Sequence, residues 1–296
     1  MNIPTYPEFV PISFDMQNEI EFYLRNLPDG ISELTFMNFY LFKETYKYQV
    51  AKTDSLLIII GEYKDKPFFI TPCCLVNAEI IKQLLEKYKN WMILSKSFLE
   101  KNKPVFEQPY FQNLKIEEDR DNFDYIYRRK DLAELAGKDF HKKKTHINNF
   151  EKNYGNIKVK ALTLETVEDA KKILEIWAAS RTSNTPENSD YFAAKEALNI
   201  LPRSALFGIV LYVDNKPVAW SLAEITNKGN TAVIIFEKAD TNYKGSFQYI
   251  NYAFAGYLPE HIEFINRQQD LGDAGLRQAK MTYRPVDFIK KYKISI

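Results

Sequence analysis

The stretch ALFGIVLYVDNKPVAWSLAEI, residues 205–225, decides the fold. An apolar β-type run ends in a polar Asp214-Asn215 turn, and a second apolar run departs with Lys216-Pro217 at its entry. Turn residues flanked by such runs signal a β-hairpin, with proline tolerated where a strand begins. A second stretch, SLLIIIGEYKDKPFFITPC, residues 55–73, repeats the pattern, with Asp65 in the turn and Lys66-Pro67 at the return. The two Lys-Pro pairs stand half a chain apart, and the same kinds of element surround them. Ahead of the first hairpin the pattern predicts a helix over SELTFMNFYLFKETYKY, capped by Ser32. Behind it come AEIIKQLLEKY, with Ile80, Ile81, Leu84, Leu85 and Tyr88 at helical spacing, and a short strand, WMILS. Two helices, one capped by Thr166, precede the second hairpin; the strand NTAVIIFEKA, a helix from Ser246 and a short strand around HIEFI follow it. Each half therefore reads as an α/β (α+β) unit with a mixed sheet, and the boundary is expected in the charged stretch near residues 120–137.

Composition narrows the function. The chain has 296 residues, 45% apolar, 27% charged and 15% aromatic, which is ordinary globular usage. Glycine is scarce, 10 residues, and neither G-x-G-x-x-G nor G-x-x-x-x-G-K-[ST] occurs. Kinase-like, P-loop and dinucleotide-binding classes lose their phosphate cradle. With 40 basic and 39 acidic residues there is no polybasic coat, so any polyanion site must come from local clustering. Two adjacent cysteines, Cys73 and Cys74, make no disulfide framework and read as packing residues of a reducing, cytoplasmic compartment. They and the three histidines lack zinc spacing, so no metal site is expected. No leader-like segment opens the sequence, and the longest strongly apolar run, residues 56–60, is far short of the ~20 residues that cross a bilayer.

Four stretches carry candidate chemistry. In NYKGSFQYINYAF, residues 242–254, a strand gives way to a helix at Gly245-Ser246; unpaired N–H groups there suit an anion, with Lys244 adding charge. In INRQQDLGDAGLRQAKMTYRPVDFIKKY, residues 265–292, a helix over 274–283 would align Arg277, Lys280 and Arg284 on one face, a stripe suited to a phosphate-bearing ligand. The competing reading pairs those cations internally with Asp270, Asp273 and Asp287. RRKDLAELAGKDFHKKKTHINNFEKNY, residues 128–154, carries a net +4 and reads either as a track for RNA or lipid phosphates or as a solvated helix face. Glu224, at the end of the second hairpin's return strand, is a candidate carboxylate base.

YIYRRKDLAELAGKDFHKKKTHINNFEKNYG and, about 110 residues later, FINRQQDLGDAGLRQAKMTYRPVDFIKKY together resemble the bacterial family grouped with the C-terminal catalytic domain of phosphatidylglycerol lysyltransferase. The matching motifs are DL-x-x-LxGK-x-(F/Y)-x-x-K-x-x-x-IN-x-F and N-x-x-x-D-x-G-x-x-GLR-x-AK-x-x-Y-x-P. The resemblance implies tandem GNAT-like (acyl-CoA N-acyltransferase) domains, each a mixed, mostly antiparallel sheet flanked by helices: residues 1–125 mainly scaffold, and 126–296 carrying the active site. It further implies an acyl- or aminoacyltransferase that moves an activated acyl group from acyl-CoA or aminoacyl-tRNA to an amine or hydroxyl, on a small molecule or lipid headgroup. No tightly bound cofactor is expected. Lys244, Gly245 and Ser246 would meet the donor phosphates, with Arg277, Lys280 and Arg284 as a charged clamp. Asp270 or Glu224 would act as base, and Tyr283 would protonate the leaving group. NYKGSF departs from the fuller Q/R-x-x-G-x-G/A pattern of acetyl-CoA binders, which favours an ester donor and leaves a non-catalytic ligand- or RNA-binding protein as the competing class.

Overall fold

The computed structural model describes residues 2–73, 75–181, 190–226 and 229–296, and divides the chain into two units, Met1–Phe123 with Ile289–Ile296, and Asp124–Phe288. In the first unit β1 (Val10–Pro11) leads to α1 (Gln17–Leu24), α2 (Phe36–Leu41) and α3 (Lys43–Tyr46). Strands β2 (Gln49–Lys52), β3 (Leu57–Tyr63) and β4 (Lys66–Ile70) follow, then α4 (Ala78–Tyr88) and β5 (Asn90–Leu94). Two short helices, α5 (Lys96–Lys101) and α6 (Lys103–Phe106), precede β6 (Ile116–Glu118). In the second unit β7 (Asp124–Arg128), α7 (Arg129–Glu134) and α8 (His141–Asn153) come first. Next are β8 (Ile157–Ala161), α9 (Val167–Ala179), α10 (Tyr191–Ile200), β9 (Phe207–Val213), β10 (Lys216–Ile225) and β11 (Thr231–Ala239). The chain continues through α11 (Ser246–Tyr257), β12 (Phe264–Asn266), α12 (Ala274–Met281) and β13 (Asp287–Ile289) to β14 (Tyr292–Ser295).

Both sheets have seven strands, in the orders β1-β2-β3-β4-β5-β14-β6 and β13-β7-β12-β11-β10-β9-β8. Each is antiparallel except for one helix-linked parallel pair: β4 with β5 through α4, and β11 with β12 through α11. Counting outward from those pairs aligns β1–β5 with β8–β12. The doubled α/β architecture expected from the sequence is therefore present, but the Lys-Pro turns are not its equivalent points. The first joins β3 to β4 and the second β9 to β10, one strand out of step. What the turns share is local: Lys64-Asp65 and Asp214-Asn215 all take positive φ, the backbone of a tight two-residue hairpin.

The C-terminal tail corrects the expected assignment of residues 126–296 to one domain. β14 pairs antiparallel with β5 and β6, and the Lys291 ammonium, 1% exposed, forms an ion pair with Glu33 in the first unit. Helix α2 also starts later than expected: Thr35, not Ser32, caps it by accepting from the Asn38 N–H at 3.0 Å. Cys73 is buried, in keeping with a packing role, and Cys74 lies outside the described residues. The first unit's core gathers on Trp91, which stacks on Phe69 and donates its indole N–H to Thr71.

In the second unit the two faces of the sheet have different covers. Tyr125, Tyr127, Ala219, Ala223, Ala239 and Ile265 join Phe254 of α11 and Phe150 of α8 in one core. Alternate residues on β10 and β11, Trp220, Phe236 and Lys238, point to the opposite face, where Lys238 meets Trp177 of α9. β9 and β10 approach closely at Gly208, where a Cβ would lie 2.1 Å from the Ser221 carbonyl oxygen.

Candidate functional site

The second sheet opens beside β11. β11 and β12 pair over only three positions, Thr231↔Phe264, Ala232↔Ile265 and Val233↔Asn266, although β11 runs on to Ala239. The register between β10 and β11 slips at Leu222/Ala223, which makes Ile235 an extra residue that bends β11. Past Asn266 the other chain turns away, with Gln268 and Leu271 at φ 54 and 53. The gap opens on the face covered by α11.

Charged side chains fill it. Glu237 of β11 binds Arg267 at 2.7 Å and accepts from the Asn251 amide of α11 at 3.3 Å; both partners of the ion pair are mostly buried. Burial alone would depress the Arg267 pKa, but the Glu237 carboxylate outweighs it and the guanidinium is held charged. Arg267 lies 5.0 Å from the Tyr283 ring centroid, and the Lys143 ammonium of α8 stands 3.9 Å from the same ring. Lys143 has no carboxylate partner among the described residues; burial first, and then Arg267, push its pKa down to about 8. Tyr283 is buried, and that burial raises its phenol above the ordinary value. Two buried polar atoms beside this cluster have no hydrogen-bond partner: the hydroxyl of Ser221, which faces Glu237 across the β10–β11 ladder, and the side-chain amide nitrogen of Gln268, next to Arg267. Buried polar groups are nearly always satisfied, so these two are candidate contacts for a polar group.

Of the C-terminal cations, Arg277 pairs with Asp270 as the internal-pairing reading expects, while Lys280 and Arg284 find partners other than Asp270, Asp273 and Asp287. Asp270, fully buried, accepts from Arg277 Nε and Nη2 at 2.9 and 2.8 Å, from the Tyr125 hydroxyl at 2.5 Å and from the Gly272 N–H at 3.0 Å. Burial would raise its pKa, but the Arg277, Tyr125 and Gly272 hydrogen bonds outweigh burial and hold it well below the carboxylate range. Its carboxylate is engaged by Arg277, Tyr125 and Gly272. Lys280 donates to the carbonyls of Arg267 at 2.6 Å, Gln268 at 3.1 Å and Gln269, which uses all three of its protons; burial and then Arg267 push its pKa down to about 7. α12 ends at Met281, and Arg284, at φ 57 beyond it, is exposed and lies 3.8 Å from Asp139. Arg277 and Lys280 thus brace the loop that carries Arg267 and Gln268.

The turn before α11 is tied into the fold at several points. The Lys244 N–H donates to the Tyr154 hydroxyl at 2.8 Å, and the Ser246 hydroxyl donates to the Asp240 carbonyl at 3.0 Å. The Asp240 carboxylate accepts from the Asn242 N–H at 2.9 Å within the same turn. Gly245, at φ 94, lies under α8, with a Cβ position 3.5 Å from the Phe150 ring. Lys244 meets the C-terminal end of α8 and Tyr283 meets Lys143 near its start, about 15 Å apart along the helix. Lys244 and Tyr283 thus meet opposite ends of α8. Glu224 alternates with Ala223 on β10 and therefore belongs to the opposite face of the sheet, away from Tyr283 and Asp270. Of the expected residues only Tyr283 stands in the gap. Glu237, Ser221, Asn251 and Gln268 were not singled out in sequence, although an adjacent Glu-Lys inside an otherwise apolar strand was the available signal.

The family model described as phosphatidylglycerol lysyltransferase, C-terminal, matches residues 24–295. The chain belongs to that family. A sequence relative, an uncharacterised protein of Mycoplasmoides gallisepticum, is 25% identical over 182 residues, which are 61% of this chain and 58% of the relative. The chain thus aligns with little more than half the length of that curated relative. Among solved structures, a conserved protein of unknown function from Bacteroides thetaiotaomicron is 26% identical, with a TM-score of 0.82 over 97% of this chain and 99% of that one. The structure of L-PGS from Bacillus licheniformis is 13% identical, with a TM-score of 0.62 over 100% of this chain and 94% of that one, a likeness of fold. The family member described here has the GNAT-type layout in both units, each a mixed, mostly antiparallel sheet flanked by helices. Among its described residues no helix is long and apolar enough to cross a membrane.

Proposed function

We propose that this family member is an aminoacyltransferase whose reaction takes place in the gap between β11 and β12. Membership of the family supports a transferase of this kind. The observation that carries the location is the Glu237–Arg267 pair in the opening between the strands, with the Ser221 hydroxyl and Gln268 amide unsatisfied beside it. The Lys244 N–H held by the Tyr154 hydroxyl and the packing of Phe150 over Gly245 support an ester donor over acyl-CoA.

The acceptor's hydroxyl or amine attacks the carbonyl carbon of the aminoacyl ester. Neutral Lys143 takes the acceptor's proton and returns it to the departing ester oxygen, so one C–O bond breaks as the new C–O or C–N bond forms and no proton is lost. The Gln268 amide and Ser221 hydroxyl are donors for the oxyanion that develops on the carbonyl. Glu237, held by Arg267 and Asn251, carries the negative charge that orients the donor's amino group. Tyr283 walls the site and keeps Lys143 dry.

The test is loss of ester from a pool of aminoacyl-tRNAs labelled in the amino acid, incubated with the full chain and either a lipid extract or small amines. Catalysed ester loss is expected, falling on the order of a hundredfold in Lys143→Met and about tenfold in Ser221→Ala. Ser221 has no partner to lose, so its alanine variant folds normally. Ester loss at the uncatalysed rate, or unchanged in both variants, refutes the proposal and leaves the non-catalytic binding class.

A further inference from the structure

We propose that α8 is a docking surface for the phosphate backbone of RNA, held through Lys142, Lys144 and Lys152; the choice of RNA rests on the reading of the donor as an aminoacyl-tRNA ester. α8 lies on the α11 face of the second sheet, the face opposite α9 and α10. Its Ile147 and Phe150 turn inward, and the Phe150 ring stacks on Tyr249 of α11 at 4.6 Å. With about 3.6 residues per turn, the far side of the helix carries His141, Thr145, Asn148, Asn149 and Lys152, all exposed. Lys142 is exposed beside them, and the Lys144 ammonium lies 5.3 Å from the Tyr252 ring centroid.

These lysines stand where a helix shaped only by stability would not place them. α8 begins at His141, so Lys142 and Lys144 are among its first four residues, against the positive end of the helix dipole, and its first turn holds no acidic residue. α9 shows the ordinary arrangement: Glu168 and Asp169 occupy its first turn and bind Lys171 and Lys172 at 2.8 Å each. No carboxylate stands three or four positions from Lys144 or Lys152. Of the acids that flank the lysines, Asp139 lies 3.8 Å from Arg284, and Glu151 accepts from the Tyr249 hydroxyl at 3.4 Å. Among the described residues none of the three lysines has a carboxylate partner.

A phosphate backbone supplies the missing negative charge. Lys142 and Lys152 are about 15 Å apart along the helix, and a nucleic-acid strand carries a charge about every 3.4 Å of its axis. Several consecutive phosphates therefore lie within reach of the three ammonium groups. The Thr145 hydroxyl and the Asn148 and Asn149 amides, set between the lysines, are groups of the kind that meet phosphate and ribose oxygens. A membrane surface fits less well: the apolar residues Ile147 and Phe150 are buried in the core, and the exposed side of α8 has none to insert among lipid tails. Lys143, between the first two lysines, turns inward to the Tyr283 ring at 3.9 Å, so one turn of helix joins this surface to the gap where transfer is proposed.

The experiment measures binding of the full chain to deacylated bulk tRNA across a salt series and, in a separate arm, to vesicles of phosphatidylglycerol and phosphatidylcholine. The triple variant Lys142→Gln, Lys144→Gln, Lys152→Gln removes the three charges. A control, Lys158→Gln, Lys160→Gln, Lys216→Gln, removes three exposed charges from β8 and the start of β10. Micromolar tRNA binding is expected at about 50 mM salt. The α8 triple should weaken it about tenfold or more and flatten the log–log salt slope by about 2–3, with the control within about twofold of wild type. No tRNA binding, unchanged affinity in the α8 triple, or an equal loss in the control overturns the proposal. Vesicle binding that needs the α8 lysines, with no tRNA binding, assigns the surface to lipid and overturns it as well. Ester loss that fails while deacylated tRNA still binds through α8 condemns the transferase reading alone. Ester loss at the wild-type rate in the α8 triple, at sub-saturating aminoacyl-tRNA, condemns this surface alone.

Discussion

Replacing Lys143 with methionine should make the protein more stable and less active at once. The side chain keeps its length and its contact with the Tyr283 ring but loses a cation that burial and Arg267 oppose. A pKa of about 8, against about 10.4 for a free lysine, is a difference worth about 3 kcal/mol at full value; half-burial reduces it to about 1–2 kcal/mol. The sign follows from proton linkage. Between pH 8 and 10.4 the unfolded chain holds the lysine proton and the folded chain has released it, so wild-type stability rises with pH across that window. Below pH 8 both states are protonated and the full cost is present. Urea unfolding of wild type and Lys143→Met at pH 7 and 10 should therefore show the variant ahead by about 1–2 kcal/mol at pH 7, the gap closing toward pH 10. In the transfer assay, wild-type rate should climb through pH 8 and level off as the free amine accumulates, whereas Lys143→Met should be flat and low. At pH 7 about one lysine in ten is neutral at this pKa, against roughly one in two thousand in solution, and that is the catalytic advantage the variant forfeits. A variant less stable than wild type at pH 7, with no convergence at high pH, would show that Lys143 is an ordinary packed cation.

Three further outcomes follow from the geometry. Asp270→Asn should cost about 3 kcal/mol at neutral pH, because the partly buried Arg277 loses its counter-charge. The Asp270 pKa is depressed, so its stabilisation is present above the unfolded pKa near 4 and fades as pH falls further; urea midpoints from pH 7 to 3 should therefore drop less steeply in the variant. Gly208→Ala places a methyl 2.1 Å from a backbone oxygen that cannot move alone; a loss of about 3 kcal/mol or more is expected, and an unchanged Tm would contradict the close approach of β9 and β10. Coenzyme A should leave the Tm within error, because the turn at Gly245 is covered by α8; a saturable shift that vanishes in Lys244→Ala would reopen the acyl-CoA reading.

The doubled sheet was legible because hairpins and amphipathic helices are local: the alternation in residues 205–225 and the spacing of Ile81, Leu84 and Leu85 carry it without tertiary help. The offset between the Lys-Pro turns was not legible, because a two-residue turn encodes its own backbone and says nothing about which strand pair it joins. The path of the tail was hidden for a similar reason: β14 pairs with β5 across almost two hundred residues, and short strands at such separations leave no periodic trace. The site divided along the same line. Arg277, Lys280 and Asp270 lie close together in sequence and drew attention as a cationic stripe, yet closeness in sequence is what lets them satisfy one another. Glu237, Ser221, Gln268 and Lys143 come from four segments, and only the fold collects them.

Compensation is the physical criterion that separates bracing cations from working ones. Every proton on Lys280 has an acceptor, and Arg277 meets Asp270 through two nitrogens, so neither can serve a ligand without first abandoning the loop it holds. Among the described residues, Lys143 and Arg181 lie against aromatic rings instead of carboxylates, at 3.9 and 4.8 Å. An aromatic face tolerates a cation without neutralising it, so the charge stays available for a proton or an incoming anion. β11 makes this arrangement possible. Where it parts from β12, its bend and alternation send Glu237 to one face and Lys238 to the other.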